Sequence, residues 1–464
     1  MNRRHFLKLS SLAAVAPFVG CSTSRGQPNV LFIAIDDLND WVGFLDGHPD
    51  TRTPNLDALA QKSVIFANAH CNAPTCGGSR TAIMTGRAPY VTGIFNNHQP
   101  FRPTYPDLVT LPQQYIQSGY RVAMGGKVFH IADPPSEPEV FGFETGIVEV
   151  SEAGRAAGYN SPIRHKWGPV DLAVDDMIDA QLANQTAAFL AQPHEAPFFL
   201  GVGLYSPHFP WFAPMEYFEQ FPPDEISLPV VKEGDIMDVP RRGKWMGFGL
   251  RFHRPIVESG QWTFAVSSYL SCIHFLDAML GRIFDALAMG PNGDNTIVVL
   301  WSDHGFLLGE KYHWSKFVLW ERATRVPLLI YDPRAGSQGK QCNRTVSLVD
   351  LYPTLLELCG LPPAEGVSGT SLVPLIRNAE ASWEQPVLTS ASAVTHAVRS
   401  ERWRYIRYGD GSEELYDHRT DPLEWNNLAS LEEFNEIKTE HARSIPSPDE
   451  IGEGPPARRW RRGG

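Results

Sequence analysis

The chain has 464 residues, of which 43% are hydrophobic and 20% charged. That is the balance of an ordinary globule, long enough for one large α/β domain and a smaller one. A formal net charge of −12 excludes nonspecific nucleic-acid binding, and any anionic substrate must then be met by a local cationic pocket.

The first residues read as an export signal. Arg3-Arg4, with Phe6-Leu7-Lys8, is a twin-arginine pattern, and residues 9–19 form the apolar run behind it. Phe18-Val19-Gly20-Cys21 has the form of a bacterial lipobox, so Cys21 is the expected lipid-anchor position, with a plain cleaved signal as the alternative. Residues 1–21 are therefore expected to engage twin-arginine export machinery. The mature chain is expected to be exported, periplasmic or lipid-anchored at the envelope, touching a membrane only through Cys21. No stretch beyond the leader is read as a membrane span. Disulfides among Cys71, Cys272, Cys342 and Cys359 are permitted there, but their pairing is left open.

The mature chain opens with Asn29 to Ile35, a continuous apolar run expected to form a parallel strand buried on both faces. Asp36-Asp37 follow at its C-terminal end, where open α/β sheets bind ligands. Two adjacent carboxylates there call for a cation or a basic group between them. Thr53 to Ala60 has helix-start chemistry, and Val64 to Phe66 is a second strand. Alternation then continues with a helix over 111–118, a strand over 120–124 and a loop holding Lys127 and His130 at i, i+3. That spacing suits one pocket and surface decoration alike. A helix over 182–190 and a buried strand over 197–204 lead to Ser206-Pro207-His208-Phe209-Pro210. Residues 221–252 read as an irregular excursion that shapes a substrate face. A helix over 269–288 and a strand over 296–301 end in Ser302-Asp303-His304-Gly305, and Lys311 to Lys316 follow. Alternation of this kind implies a mostly parallel sheet with helices on both faces. Hard oxygens at two strand ends suit Ca²⁺ or Mg²⁺ better than zinc, although imidazole is a poor Ca²⁺ ligand.

The stretch from Cys71 to Gly93 organises the rest. Gly77-Gly78 permit a sharp turn, Ser79 is expected to cap a helix, and that helix's free amides would face Cys76. With Arg80 one turn away the thiol sits in a positive field, which would favour an anion or a nucleophile attacking one; spacing alone leaves a reactive or modified cysteine open and favours a buried structural thiol slightly more.

Cys76-x-x-Ser79-Arg80, followed by Thr85-Gly86-Arg87-x-Pro89 and Gly93, resembles the signature of type I sulfatases, with Gly78 where the family carries proline. The likeness runs from about Asn29 to Asn427. Within the family it is greatest to iduronate-2-sulfatase-like enzymes, on Asp36-Asp37-Leu38, Gly126 to His130, Pro207-His208 and Ser302 to Gly305 with Lys316. It implies an alkaline-phosphatase-like fold: a large mostly parallel sheet flanked by helices, then a smaller C-terminal subdomain with a short antiparallel sheet. The boundaries expected are a catalytic domain over 27–380, the C-terminal subdomain over 381–443 and a mobile tail over 444–464. It also implies that a formylglycine-generating enzyme oxidises Cys76 to Cα-formylglycine, whose hydrate attacks sulfur. Asp36, Asp37, Asp303 and His304 would hold Ca²⁺, or Mg²⁺, with modified Cys76. Arg80 would orient the hydrate, Lys127 and Lys316 clamp the sulfate, His130 assist the hydrate, and His208 or Lys316 protonate the leaving oxygen. His98, Arg102, Trp211 and His313 are candidate sugar contacts. The expected activity is hydrolysis of sulfate esters on a sulfated glycan, such as a 2-sulfated uronic acid. The alternatives are phosphate or phosphonate ester hydrolysis, and an inactive glycan binder with an unmodified thiol.

Overall fold

The computed structural model describes residues 26–130, 139–140, 166–247, 250–335 and 339–455. The leader over 1–21, with Cys21, and residues 456–464 of the expected tail lie outside the described residues.

Eight strands make the main sheet: β1 (Asn29–Ile35), β2 (Val64–Phe66), β3 (Arg121–Gly126), β4 (Glu139–Val140), β5 (Phe198–Leu204), β6 (Thr296–Ser302), β7 (Leu328–Tyr331) and β8 (Lys340–Cys342). Their order is β8-β2-β7-β6-β1-β5-β3-β4, and only β7 runs against its neighbours. The central strands β1, β5 and β6 are buried at every position because helices cover both faces. Along β1, Leu31, Ile33 and Ile35 enter one core, whereas Val30, Phe32 and Ala34 enter the other. Phe32 packs between the rings of Phe199 and Trp301, with centroids 5.6 and 5.3 Å away. Truncating such a ring to alanine costs about 3–5 kcal/mol.

On the first face lie helices α2 (Ile178–Leu190) and α4 (Trp262–Met289). The sequence reading found no membrane span beyond the leader, yet α4, 28 residues long, has the length and apolarity of one. Its most apolar window is 89% buried, so its hydrophobicity serves the core. Pro327 divides the apolar run from Val326 to Tyr331, leaving Val326 to pair with Ala69 while β7 begins at Leu328. The supposed irregular excursion over 221–252 contains a helix, α3 (Arg241–Met246), and the start of another over Leu250–Glu258.

A second sheet of β9 (Val387–Ser392), β10 (Thr395–Arg399), β11 (Trp403–Arg407) and β12 (Glu413–Asp417) is antiparallel throughout. It is fastened to the main body by buried charge: Glu321 pairs with Arg399 and Arg404, and Arg404 also meets Glu424. The mobile tail expected from residue 444 is corrected over its described part. Gly452 donates to the carbonyl of Tyr90 (2.7 Å), and Gln99 donates to that of Pro455 (3.1 Å). Among the described residues no two cysteines are bonded.

Candidate active site

Parallel register gathers the site. Ile35 lies beside both Leu204 and Ser302, and Gly126 lies beside Gly203. Four neighbouring strands therefore release Asp36-Asp37, the loop to His208, Asp303-His304 and Lys127 at one edge of the sheet. The turn after β3 needs glycine opposite it, since a Cβ on Gly203 would stand 2.1 Å from the carbonyl carbon of Lys127. At the β1–β6 seam the amide of Asp37 donates to Asp303 Oδ1 (3.2 Å) and that of Leu38 to Ser302 Oγ (3.1 Å).

Cys76 comes from helix α1 (Cys76–Thr85). The predicted cap at Ser79 is corrected: Thr75 caps the helix, accepting the Gly78 amide (3.3 Å), so Cys76 opens the first turn and both glycines lie inside it. They are small because the segment at 95–97 packs on them; a Cβ on Gly78 would lie 2.8 Å from Ala73 Cβ and 3.0 Å from the Phe95 carbonyl carbon. Asn97, absent from the sequence reading, accepts the Gly77 amide (2.7 Å).

The thiol is buried among charges. Lys316 Nζ stands 3.0 Å from Cys76 Sγ and 2.5 Å from Asp37 Oδ1, and His304 Nε2 stands 3.2 Å from the sulfur. Burial alone would raise the thiol's pKa, but Lys127 and Lys316 hold it well below the ordinary value. Lys127 pairs with Asp36. Burial likewise opposes ionisation of Asp36, yet Lys127, His208 and Arg80 keep it well below the usual carboxylate range. Asp303, more desolvated than compensated, is raised to about 6. His304 is raised to about 9: burial would lower it, but Asp303 and Cys76 together outweigh that. His208 lies 3.8 Å from Asp37 and is raised in the same way, by Asp37 and Asp36 against burial. His130 is the opposite case, lowered by burial to about 4 and therefore neutral.

Arg80 meets the strand ends. Its Nε donates to Asp303 Oδ2 (2.8 Å), Nη1 to the carbonyls of Lys127 and Val128, and Nη2 to that of Ile35 (3.3 Å), with Asp36 Oδ1 at 3.4 Å. The guanidinium ties the strand ends together and orients two carboxylates. The loop that delivers Lys316 is strained, with Lys311, Tyr312, Ser315 and Phe317 all at positive φ; such backbone persists where the surroundings enforce it.

Of the candidate sugar contacts, His313 and Trp211 are corrected. His313 is fully buried, with Nδ1 2.5 Å from the Gly247 carbonyl and Nε2 2.8 Å from that of Lys316, so it braces the lysine loop. Trp211 is core, stacked on Phe209 at 4.0 Å. Arg102 clamps its own loop through the carbonyls of Pro106 and Leu108 and Gln113 Oε1. His98 is exposed, its amide bonded to Asn96 Oδ1. Asp179, another residue missed, accepts the amides of Tyr205 and Ser206, both at 2.8 Å, and so fixes the start of the His208 loop.

Oxygen and imidazole donors of Asp36, Asp303 and His304 lie within 4.8 Å of one another and of Cys76 Sγ, and so do those of Asp36, Asp37 and His208. Asp36 Oδ1 and Asp37 Oδ2 are buried without a hydrogen-bond donor among the described residues. Buried carboxylate oxygens left so are costly unless a cation faces them, so these residues fit a hard divalent metal. Arg80, Lys127 and Lys316 already match the three carboxylates in number, and His208 is raised beside them, so a bound metal would leave an excess of positive charge for an anion.

A mostly parallel sheet with this constellation at its C-terminal edge defines an alkaline-phosphatase-like hydrolase of anionic esters. The family model for sulfatases matches residues 28–361, and that for the C-terminal part of N-sulphoglucosamine sulphohydrolase matches 309–447. The chain is 35% identical over 440 residues to a sulfatase of Formosa agariphila, covering 88% of this chain and 84% of the relative. Iduronate 2-sulfatase of Homo sapiens is 29% identical over 410 residues, with 76% and 74% covered. In fold it resembles the phosphonate monoester hydrolase of Agrobacterium radiobacter, with a TM-score of 0.76 at 21% identity, covering 91% of this chain and 95% of that one. A 2-O GAG sulfatase gives 0.70 at 22% identity, with 93% and 99% covered. The chain belongs to the sulfatase family and is a sulfuric ester hydrolase.

Proposed function

We propose that this chain is an exported enzyme that removes sulfate from a sulfated glycan, with a 2-sulfated uronic acid as the first substrate to try, through formylglycine made from Cys76. The observation that carries the reading is the crowding of Lys316 and His304 on a buried cysteine at the first turn of α1, beside carboxylate oxygens without donors. Supporting the glycan substrate is the likeness to a 2-O GAG sulfatase and to iduronate 2-sulfatase.

Formylglycine at position 76 would supply a hydrate, that is, a nucleophilic hydroxyl with a second hydroxyl beside it, which a plain cysteine or serine lacks. When bound to Asp36, Asp37, Asp303 and His304, Ca²⁺, or Mg²⁺ in its place, supplies Lewis acidity toward a sulfate oxygen. The chain's own groups do the rest. Lys127 and Lys316 hold sulfate oxygens at fixed donors, an arrangement worth more in a dry site than in water. His130, neutral, accepts a proton at the attacking side. His208, raised above its ordinary value against burial by Asp37 and Asp36, hands a proton to the leaving alkoxide, with its Nδ1 anchored 2.6 Å from the Phe209 carbonyl. Arg80 holds Asp303 and Asp36 throughout.

The twin-arginine pattern supports export, and Cys21 supports a lipid anchor. Testing the whole reading needs protein made in its own host and assayed for sulfate release from sulfated oligosaccharides. Cys76→Ala and Asp303→Ala are each expected to abolish release while the unfolding transition persists. Substantial turnover by Cys76→Ala would sink the mechanism, and a preference for phosphate monoesters would replace the substrate class.

A further inference from the structure

Phe317 follows Lys316 directly and is 38% exposed, and its amide donates to the Pro74 carbonyl (3.0 Å), just ahead of Cys76. Beside it opens a cleft of about 210 Å³ between α3 and the β9–β10 hairpin, with Trp245 and Arg242 on one wall and Ser392 and Thr395 on the other. The hairpin is pinned to the same segment: Thr389 Oγ1 donates to the Cys71 carbonyl (2.6 Å), and the amide of Ser390 donates to that of Asn72 (2.8 Å). Two sides of the cleft are thus tied to the residues that lead into Cys76.

Its chemistry is specific. Trp245 is 66% exposed, and the Arg242 guanidinium lies over its ring, 4.4 Å from the centroid, without an ion pair to any described residue. Exposed large aromatics beside a polar rim mark binding surfaces, and a ring face suits the C–H face of a sugar. Arginine presents a planar fork that matches carboxylate or sulfate oxygens. Another cavity, lined by Arg322, Arg325 and Arg399, lacks this character because those charges already meet Asp40 and Glu321.

We infer that this cleft is a second saccharide subsite, taking the sugar next to the sulfated one, with Trp245 and Phe317 as its aromatic walls and Arg242 reading an acidic group on that sugar. The inference rests on the glycan reading above and adds that the enzyme acts on chains rather than on single sugars.

The experiment compares kcat/KM for a sulfated uronic-acid monosaccharide and for a tetrasaccharide of the same repeat. Wild-type enzyme is expected to prefer the tetrasaccharide. That preference is expected to fall about tenfold, chiefly through KM, in Trp245→Ala and in Arg242→Ala. Trp245→Phe is expected to retain it. An equal preference in wild type and both alanine variants overturns the subsite while leaving sulfatase action on glycans intact. Sulfate release from neither substrate by wild type overturns the glycan reading itself, and the subsite with it.

Discussion

Lys316 Nζ lies 3.0 Å from Cys76 Sγ and 2.5 Å from Asp37 Oδ1, so one ammonium bridges the candidate nucleophile position and the candidate metal site. Burial opposes its charge, but Asp37 and Cys76 raise its pKa above the usual lysine value, and it stays cationic at any working pH. Replacing it removes a donor aimed at developing negative charge. Lys316→Ala is expected to lower kcat by about 10²–10³. Steady-state sulfate release read beside the thermal midpoint checks this; a loss of less than tenfold would remove Lys316 from the clamp.

Gly78 is confined by packing more than by backbone angle. A methyl group there meets Ala73 Cβ at 2.8 Å and Thr75 Oγ1 at 2.9 Å. Gly78→Ala is therefore expected to cost about 1–3 kcal/mol, the range for overpacking a tight core. Denaturant midpoints of the two proteins give the difference, and equal midpoints would show that the turn yields freely.

Removing divalent metal with a chelator is expected to abolish sulfate release and to lower the unfolding midpoint, because Asp36 Oδ1 and Asp37 Oδ2 are buried without a hydrogen-bond donor among the described residues. Restoring Ca²⁺ to about 100 times its Kd should return about 2.7 kcal/mol of stability. Calorimetry with and without Ca²⁺ reads this directly. Asp37→Ala should blunt the gain.

The join between the two sheets should be acid-sensitive. Burial alone would raise the Glu321 carboxyl, but Arg399, His418 and Arg404 hold it well below its ordinary 4.5. A carboxyl depressed in the folded state stabilises fully above its unfolded value, and that stabilisation fades as pH falls through the folded value. At pH 7 Glu321→Gln is expected to cost about 3 kcal/mol, the low end for breaking a buried pair, since the side chain keeps 15% of its exposure. The gap between wild type and variant should narrow below pH 4.5. A gap of constant size would assign the loss to packing.

What could be read from the chain follows from which forces are local. Apolar runs such as Val30 to Ile35 and Ile297 to Trp301 announce strands by themselves, and Asp36-Asp37 at the end of one and Asp303-His304 at the end of the other announce a ligand edge. Helix capping was misjudged at Ser79 because the competition between Thr75 and Ser79 is decided by the path of residues 95–97, which sequence spacing does not contain. Aromatic residues were sorted wrongly for a related reason. Trp211 is wholly buried and Trp245 is 66% exposed, yet nothing local separates the two indoles. His313 likewise has the composition of a ligand, and only the carbonyls of Gly247 and Lys316 around it make it a brace.

Cys76 retains 1% of its surface, and this imposes an order of events on the life of the chain. Oxidation of a side chain by another protein requires that it fit into that protein's catalytic pocket, which a thiol enclosed by Lys316, His304 and the first turn of α1 cannot do. The conversion proposed above would then have to come while the segment from Cys71 to Arg80 is still extended, before β1 and β6 close around it. Chains that fold first would be stranded as thiols, however much modifying enzyme they later met. The yield of active protein would be set by a race between two rates, and slowing folding, by lower temperature or a destabilising change in the core, should raise the converted fraction.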